Sequence, residues 1–301
     1  MKKLEKAIES FDTGYRLLVF YSKGYLSIKV LCIDAAREIQ KRISKGSGAV
    51  FFSATLSPLN YYKSILSTDA YADTLEVDSP FNPEQLSVSI MDRISIRYSE
   101  RVRTLPAVCR VVAATLSAKR GHYMVFAPSF EYAEALYNEF KAKYPKIRSM
   151  LQGKDMSQKD KEEFLAAFSR DSGTYLVGFC VMGGIYSEGI DLAGDSLIGA
   201  VVIGIGMPSL SYEREAIAEY FEEKYEAGKQ YAYIYPGMNR VFQAAGRVIR
   251  REDDKGVIVL IDDRFQDPIY KKSIPSLWEG MQYVSDAKDL KAELDKFWAQ
   301  E

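Results

Sequence analysis

The sequence predicts an α/β fold, a mainly parallel sheet in a three-layer arrangement with helices on both faces. Short all-apolar runs at 123–127, 175–179, 200–205 and 257–261 alternate with longer stretches of helical periodicity. Runs that are apolar on both faces belong to a buried parallel sheet, because a half-solvated strand alternates apolar with polar. The chain has 301 residues, the length of one large or two ordinary domains, with no internal repeat and no low-complexity tract.

Residues 4–11 have the spacing of a short amphipathic helix. Residues 16–21 and 25–31, two β-rich runs around Ser22-Lys23-Gly24, predict a hairpin. Asp34 is placed to cap a helix running to about Ile43. Gly46-Ser47-Gly48 breaks the chain before 49–52, Ala-Val-Phe-Phe, which reads as a short buried strand. A helix at 59–66 follows. Residues 67–99 resemble a linker with short strands. From Glu100 the pattern becomes regular: helix to about Ala118, strand 123–127, helix 130–144, strand 148–151. Ser157-x-x-Asp160 is a capping box opening a helix through Phe168. Strand 175–179, a glycine-rich loop, strand 200–205, helix 213–225, an arginine-bearing helix and strand 257–261 complete the set.

The totals exclude several classes. Formal charge is −1, so nucleic-acid contact must come from a local patch and not from a global basic field. Cys32, Cys109 and Cys180 are far apart and form no C-x-x-C pair. That points to a reducing compartment and away from a disulfide scaffold or a cysteine-rich metal site. The single histidine, His122, borders an apolar run, where a strand-edge role fits better than a catalytic one. No signal peptide is evident, and no apolar run reaches the roughly 18 residues of a membrane span, so a cytoplasmic protein with no membrane partner is the expectation. With 21 tyrosines and 15 phenylalanines the chain is aromatic-rich. Tyr61, Tyr62, Tyr186 and Tyr212 are candidates for stacking on bases, although packing is the commoner use.

Candidate chemistry concentrates in a few stretches. Residues 243–251, Gln-Ala-Ala-Gly-Arg-Val-Ile-Arg-Arg, follow Pro236-Gly237 and end at a charged turn. At about 100° per residue a helix would gather Gln243, Arg247 and Arg250 on one face, with Phe242, Ala245, Val248 and Ile249 behind. Ala244 and Gly246 leave room for close approach. Two guanidiniums one turn apart suit a triphosphate, since each planar fork binds oxygens in pairs. Taken alone, such a pair is usually a solvated basic face. Gly183, Gly184 and Gly189 let backbone N–H groups approach a ligand, and Glu188 and Asp191 set two carboxylates beside them. Taken alone, that run is an ordinary βα connection, and it is not a dinucleotide fingerprint. Ser53 and Thr55 follow one predicted strand. Ser129 follows another, placed to cap a helix or touch a phosphate.

In order the chain carries Val-Phe-Phe-Ser-Ala-Thr-Leu-Ser-Pro (50–58), Pro-Phe-Asn-Pro (80–83), Val-Phe-Ala-Pro-Ser (125–129), Ser-Glu-Gly-Ile-Asp (187–191), Gln-Ala-Ala-Gly-Arg-Val-Ile-Arg (243–250) and Leu-Ile-Asp-Asp-Arg-Phe (260–265). This series resembles the C-terminal region of the DinG/XPD (Rad3-like) superfamily 2 ATP-dependent DNA helicases, from about Tyr25 onward. The resemblance implies a RecA-like fold of the P-loop NTPase type. It implies that residues 1–57 end a first motor domain, closing on Ser53 and Thr55, which couple nucleotide hydrolysis to DNA movement. Residues 58–301 would be the second motor domain. There Ser129 would touch the DNA backbone, Glu188, Gly189 and Asp191 would line the nucleotide and DNA side of the cleft, and Gln243, Gly246, Arg247 and Arg250 would reach ATP.

No G-x-x-x-x-G-K-[ST] run and no Asp-Glu-x-His box occurs. Gly153-Lys154 is followed by Asp155, and Gly228-Lys229 by Gln230. The resembled family carries these groups, which hold ATP and Mg2+, in an upstream motor domain. In many members an iron–sulfur cluster also lies there. The expectation is therefore the C-terminal motor domain of a DNA-repair-type helicase of 5′→3′ direction, acting on single-stranded DNA, inactive alone and holding no metal of its own. The alternative is a free-standing RecA-like module that binds nucleic acid without turnover. A nucleotide-binding or transferase domain of the doubly wound class is a third reading, which the two-arginine stretch without a glycine fingerprint disfavours.

Overall fold

The structure, a computed structural model, describes residues 11–69, 72–168, 173–186, 197–275, 278 and 280–300. In chain order its elements are β1 (Tyr15–Ser22), β2 (Tyr25–Cys32), α1 (Ala36–Ile43), α2 (Leu59–Leu66), β3 (Leu86–Met91), α3 (Arg101–Ala118), β4 (His122–Ala127), α4 (Phe130–Lys143) and β5 (Arg148–Leu151). Then come α5 (Gln158–Phe168), β6 (Leu176–Val181), β7 (Gly199–Ile203), α6 (Tyr212–Tyr225), α7 (Tyr235–Ala245), β8 (Gly256–Ile261), α8 (Pro268–Lys271), β9 (Gln282–Tyr283) and α9 (Ala287–Trp298). They form two compact units, Met1–Glu76 with Pro208–Pro236, and Val77–Met207 with Gly237–Glu301. The helix expected at 4–11 lies almost wholly outside the described residues.

In the first unit β1 and β2 make the expected antiparallel hairpin, in register from Tyr15↔Cys32 to Ser22↔Tyr25. Its two-residue turn, Lys23 at φ 51° and Gly24 at φ 82°, has the positive dihedrals that match strand twist. Ile33, Ala216, Phe221 and Tyr231 form the core, with Tyr61 and Ile65 of α2 packed on it. Asp34, expected to cap α1, stands one residue before its N-cap Ala35 and accepts the Ala36 N–H at 3.1 Å. It is buried, and its other oxygen accepts from Tyr220 Oη at 2.7 Å and Lys224 Nζ at 2.6 Å. Burial pushes this carboxyl up, but Lys224, Tyr220 and the Ala36 N–H outweigh that and leave it below the usual aspartate value.

Residues 49–52 are not the buried strand that their apolar run predicts. They carry no strand pairing, and Val50 and Phe52 are 85% and 89% exposed. A four-residue run becomes a strand only when neighbours supply a ladder. Among the described residues none pairs with it.

Pro236-Gly237, expected to precede the arginine-bearing helix, lies inside α7. A π-helical turn, Gln230–Ile234, leads into it, and Tyr235 N–H donates to Gln230 O, five residues back. Proline in a helix cannot donate to the carbonyl four residues earlier. Here that carbonyl, Ala232 O, accepts instead from Arg214 Nη1 at 3.2 Å. The widened turn and the borrowed donor let the helix run through the proline.

The second unit carries the predicted α/β architecture. Its seven strands run in the order β5-β6-β4-β7-β8-β3-β9, and every pairing is parallel. Side chains alternate across a strand. Val125, Val177, Val201 and Val259 face one layer, where Val112 of α3, Leu136 of α4 and Leu294 of α9 join them. Gly178 points the other way. A β-carbon there would stand 2.8 Å from Phe168 Cζ and 2.9 Å from Phe164 Cζ, so α5 covers the opposite face. The capping box forms: Ser157 N and Oγ donate to Asp160 Oδ2 at 2.9 and 2.7 Å. Within 67–99, expected to be a linker with short strands, residues 86–91 are β3, a full member of the sheet paired with both β8 and β9. Among the described residues no helix is long and apolar enough to cross a membrane.

Candidate functional site

Parallel sheets present ligand-binding loops at the carboxyl ends of their strands. In the second unit four such ends converge. β4 runs into Pro128-Ser129, β6 into the glycine loop from Met182, β7 into Gly204-Ile205-Gly206 and β8 into Asp262-Asp263-Arg264. Met182 N–H donates to Ala127 O at 2.9 Å, tying the first two together. A β-carbon at Gly204 (φ 89°) would stand 3.7 Å from Asp262 Oδ2 and 3.9 Å from Pro128 Cβ, so the third and fourth ends adjoin the first. Ser129 is the N-cap of α4 as anticipated, its Oγ accepting from Tyr132 N–H at 3.2 Å.

The glycine loop is braced from β5. The buried Gln152 amide oxygen accepts from Val181 N–H at 2.9 Å, and its side chain lies against Gly184. Gly183 (φ 72°) has Arg240 Nε 3.1 Å from where a β-carbon would stand, so this arginine of α7 lies directly on the loop. Tyr186, named above as a possible base platform, is core: it is fully buried and stacks on Phe164 at 4.4 Å. Glu188, Gly189 and Asp191 lie outside the described residues.

The arginine stretch is not the helix that its periodicity predicts. Helix α7 ends at Ala245. Gly246 N–H still donates to Phe242 O at 2.8 Å, but Val248 N–H turns to Ala245 O at 3.3 Å. Next, the Asp254 carboxylate captures the backbone N–H groups of Arg250 and Arg251 at 2.8 and 2.9 Å. An N–H held by a side chain is lost to the helical ladder, and glycine is the poorest helix former after proline. Gln243 is therefore on the helix, whereas Arg247 and Arg250 follow it in irregular chain, all three half-buried. The apolar back survives in part: Phe242, Ala245 and Val248 are buried. Val248 seats against Gly256, where a β-carbon would stand 2.2 Å from its Cγ1.

Sequence reasoning assigned no role to two features of this edge. Arg240 carries no sequence signal, because a lone arginine in an apolar helix makes no pattern. Arg264 donates through Nε and Nη2 to the two oxygens of the fully buried Asp262 at 2.8 and 2.7 Å. Burial pushes the Asp262 carboxyl up, and Arg264 works against it. The Asp-x-Arg spacing was visible, but not that the pair would close on itself.

Ser53 and Thr55 belong to the first unit. Their hydroxyls are 3.3 Å apart, and Thr55 N–H donates to Ser53 Oγ at 3.2 Å, on an exposed stretch. In the same unit Tyr61 and Tyr62 pack edge to face at 4.9 Å and are half-buried, whereas Tyr212 is 75% exposed. No group of acidic, cysteine or histidine side chains that could hold a metal exists among the described residues.

Residues 112–281, more than half of the chain, match the family described as the helicase C-terminal domain. The chain belongs to this family. The helicase C-terminal domain seen here is similar to the XPD/RAD3 helicase subunit of general transcription and DNA repair factor IIH from Saccharomyces cerevisiae, 27% identical over 96% of this chain and 40% of the relative. It is also similar to the ATP-dependent DNA helicase chl1 of Aspergillus niger, 25% identical over 86% of this chain and 34% of that protein. The chain thus spans about two fifths or less of these relatives. Among solved structures an XPD helicase matches with a TM-score of 0.64 at 19% identity, over 89% of this chain and 48% of that one. The RecA-like fold and the DinG/XPD likeness read from the motifs are borne out.

Proposed function

We propose that the chain is the C-terminal motor part of an ATP-dependent DNA helicase of 5′→3′ direction. In this reading residues 1–57 complete a first motor domain and 58–301 form the second. Gln243, Arg247 and Arg250 reach the phosphates of ATP held, with Mg2+, chiefly by an upstream motor domain, and Gly246 lets that chain approach closely. Glu188, Gly189 and Asp191 line the nucleotide and DNA side. Ser129 contacts the backbone of single-stranded DNA, and Ser53 and Thr55 couple hydrolysis to movement. Any iron–sulfur cluster belongs upstream.

The observation that carries the reading is the carboxyl edge of a helicase-family sheet. There Arg240 lies on the glycine loop, Gln243 follows one turn later, and two half-buried arginines leave the helix end beside β8. ATP supplies a transferable phosphoryl group. What these residues add is positive charge matched to the oxygens that become more negative as it transfers, an effect of about 10³- to 10⁵-fold for arginine fingers in general.

The test is DNA-stimulated ATP turnover by the protein that includes the upstream motor domain. Arg250→Ala is expected to lower kcat at least about 10³-fold while leaving the fold intact. The 301-residue chain alone is expected to turn over nothing above background. An unchanged kcat in the variant, or Arg250-dependent turnover by the short chain, overturns the proposal. Strand binding that is indifferent to nucleotide throughout would favour the free-standing binding module instead.

A further inference from the structure

Between β3 and α3 the chain reads Arg97-Tyr98-Ser99-Glu100-Arg101-Val102-Arg103. It bears no expected role, and it lies in the second unit at the same carboxyl edge of the sheet. Tyr98 is 87% exposed, a high figure for a large aromatic ring. Arg101 is half-buried and held in place. Its Nε donates to Ile96 O at 3.2 Å, and its guanidinium carbon lies 5.6 Å from the Tyr98 ring centre and 5.9 Å from that of Tyr132.

Arg101 lacks an anion. Among the described residues no carboxylate is within ion-pair distance of it. Arg97 is paired with Asp263 at 3.3 Å, and Arg103 with Glu100. Asp262, the acid whose field reaches Arg101, is taken by the fork of Arg264. Burial lowers the Arg101 guanidinium from its ordinary value, and Tyr132, Tyr98 and Asp262 hold it up against burial and Arg264. The Tyr132 ring beneath it is buried, and its hydroxyl has no partner. A guanidinium that has lost part of its hydration, is fixed in orientation and has no ion-pair partner is favoured by a ligand that supplies one. Fixed forks of this kind are suited to phosphate.

The ring and the cation together narrow the ligand. Tyr98 gives one face to Arg101 and leaves the other to solvent, as a base platform requires. The surroundings are an open ridge with Arg97 and Arg103 alongside, not an enclosed pocket, which suits a strand passing over better than a small molecule sealed inside. We propose that Tyr98 and Arg101 form one nucleotide step of a single-strand track, with a base stacked on the exposed ring and the adjoining phosphate on the guanidinium. This rests on the DNA-motor reading above and adds two residues to it that the motifs do not mark.

The test is fluorescence anisotropy on the full chain with two labelled strands of about 12 nucleotides, one of thymidylate and one abasic. Tyr98→Ala is expected to weaken thymidylate binding about 5- to 150-fold and to leave the abasic strand unchanged. Tyr98→Trp is expected to keep affinity and to lose indole emission when the strand binds. Arg101→Gln is expected to weaken both strands and to make the log-affinity against log-salt slope shallower by about 0.7. Tyr98 is exposed, and an unchanged unfolding curve for each variant keeps the comparison sound. If the parent binds thymidylate and both variants bind it equally well, this step is wrong while the motor reading stands. Displacement of the strand from this site by mononucleotide also overturns it, in favour of a nucleotide pocket. If the parent binds neither strand, the DNA track itself falls, and this step with it.

Discussion

Gly206→Ala tests whether the candidate site is built on backbone contact. Gly206 sits just beyond β7 at φ 64°, and Gly237 lies in the first turn of α7. A β-carbon on Gly206 would stand 2.4 Å from Gly237 O and 2.9 Å from Met182 Sδ, and one on Gly237 would stand 2.7 Å from Ile205 O. Two main chains therefore touch where α7 meets the carboxyl edge, and neither can step aside as a flexible side chain would. Alanine at 206 incurs two costs. A left-handed residue with a β-carbon costs about 1–2 kcal/mol. Overpacking against fixed atoms adds about 1–3 kcal/mol. The sum, about 2–5 kcal/mol, is a large part of a domain's usual 5–15 kcal/mol. Trp278 and Trp298, the chain's two tryptophans, are both buried in the second unit, so their fluorescence in a urea titration follows that unit selectively. Gly280→Ala is the control in the same unit: its β-carbon meets nothing within 4 Å, and its stability should stay within about 0.5 kcal/mol of the parent. A loss below about 1 kcal/mol for Gly206→Ala would refute the idea that backbone contact places α7.

Other expectations concern charge and thiols. Asp34→Asn should destabilise the first unit by about 1–3 kcal/mol, less than a fully buried pair because the Lys224 side chain is 36% exposed. The Asp34 carboxyl is held below its unfolded value, so its contribution is present above about pH 4 and lost as pH falls through the folded value. The parent should therefore lose thermal stability on acidification more steeply than the Asn variant, and equal slopes would count against the ion pair. Burial pushes the Cys109 thiol up to about 11 and raises Cys180 and Cys32 as well, so it is exposure that sets Cys32 apart from the two buried thiols. Maleimide at neutral pH should modify exposed Cys32 alone until the chain unfolds, as peptide mass mapping would show. In the complete protein Arg247→Ala should also lower DNA-stimulated ATP turnover, by kcat more than by KM, because the proposed contact strengthens as charge develops.

Most of the layered fold could be read from periodicity, for a physical reason. β4, β6, β7 and β8 are buried on both faces, so each is an unbroken apolar run, and their order in the sheet needs only the usual parallel crossovers. The hairpin and the capping box were legible because they are local: Lys23-Gly24 and Ser157-x-x-Asp160 contain their own hydrogen-bonding logic. β3 was legible only as an unplaced short strand within 67–99, because Ser87 and Ser89 interrupt its apolar run, although Ser89 is buried within the sheet. Residues 49–52 failed in the opposite sense, since an apolar run reports what a strand would bury and not whether a partner is at hand. Tyr186 shows the same limit: exposure depends on Phe164, 22 residues away in sequence.

The arginine stretch carries the most consequential revision. Periodicity placed Gln243, Arg247 and Arg250 on one helical face, which would make their spacing a property of the helix. The structure divides that responsibility. α7 positions Gln243, and Arg240 before it, by the backbone contact at Gly237. Beyond Gly246 the chain is held instead by Val248, seated against Gly256 at the start of β8, and by Asp254, which binds the Arg250 and Arg251 N–H groups. Arg247 and Arg250 thus take their place from the start of β8 and the turn before it. The stop signal was present in the sequence, in Gly246 and in the Asp253-Asp254 turn, but an apolar periodicity that continued through Val248 and Ile249 masked it. The apolar residues served a strand end and not a helix back.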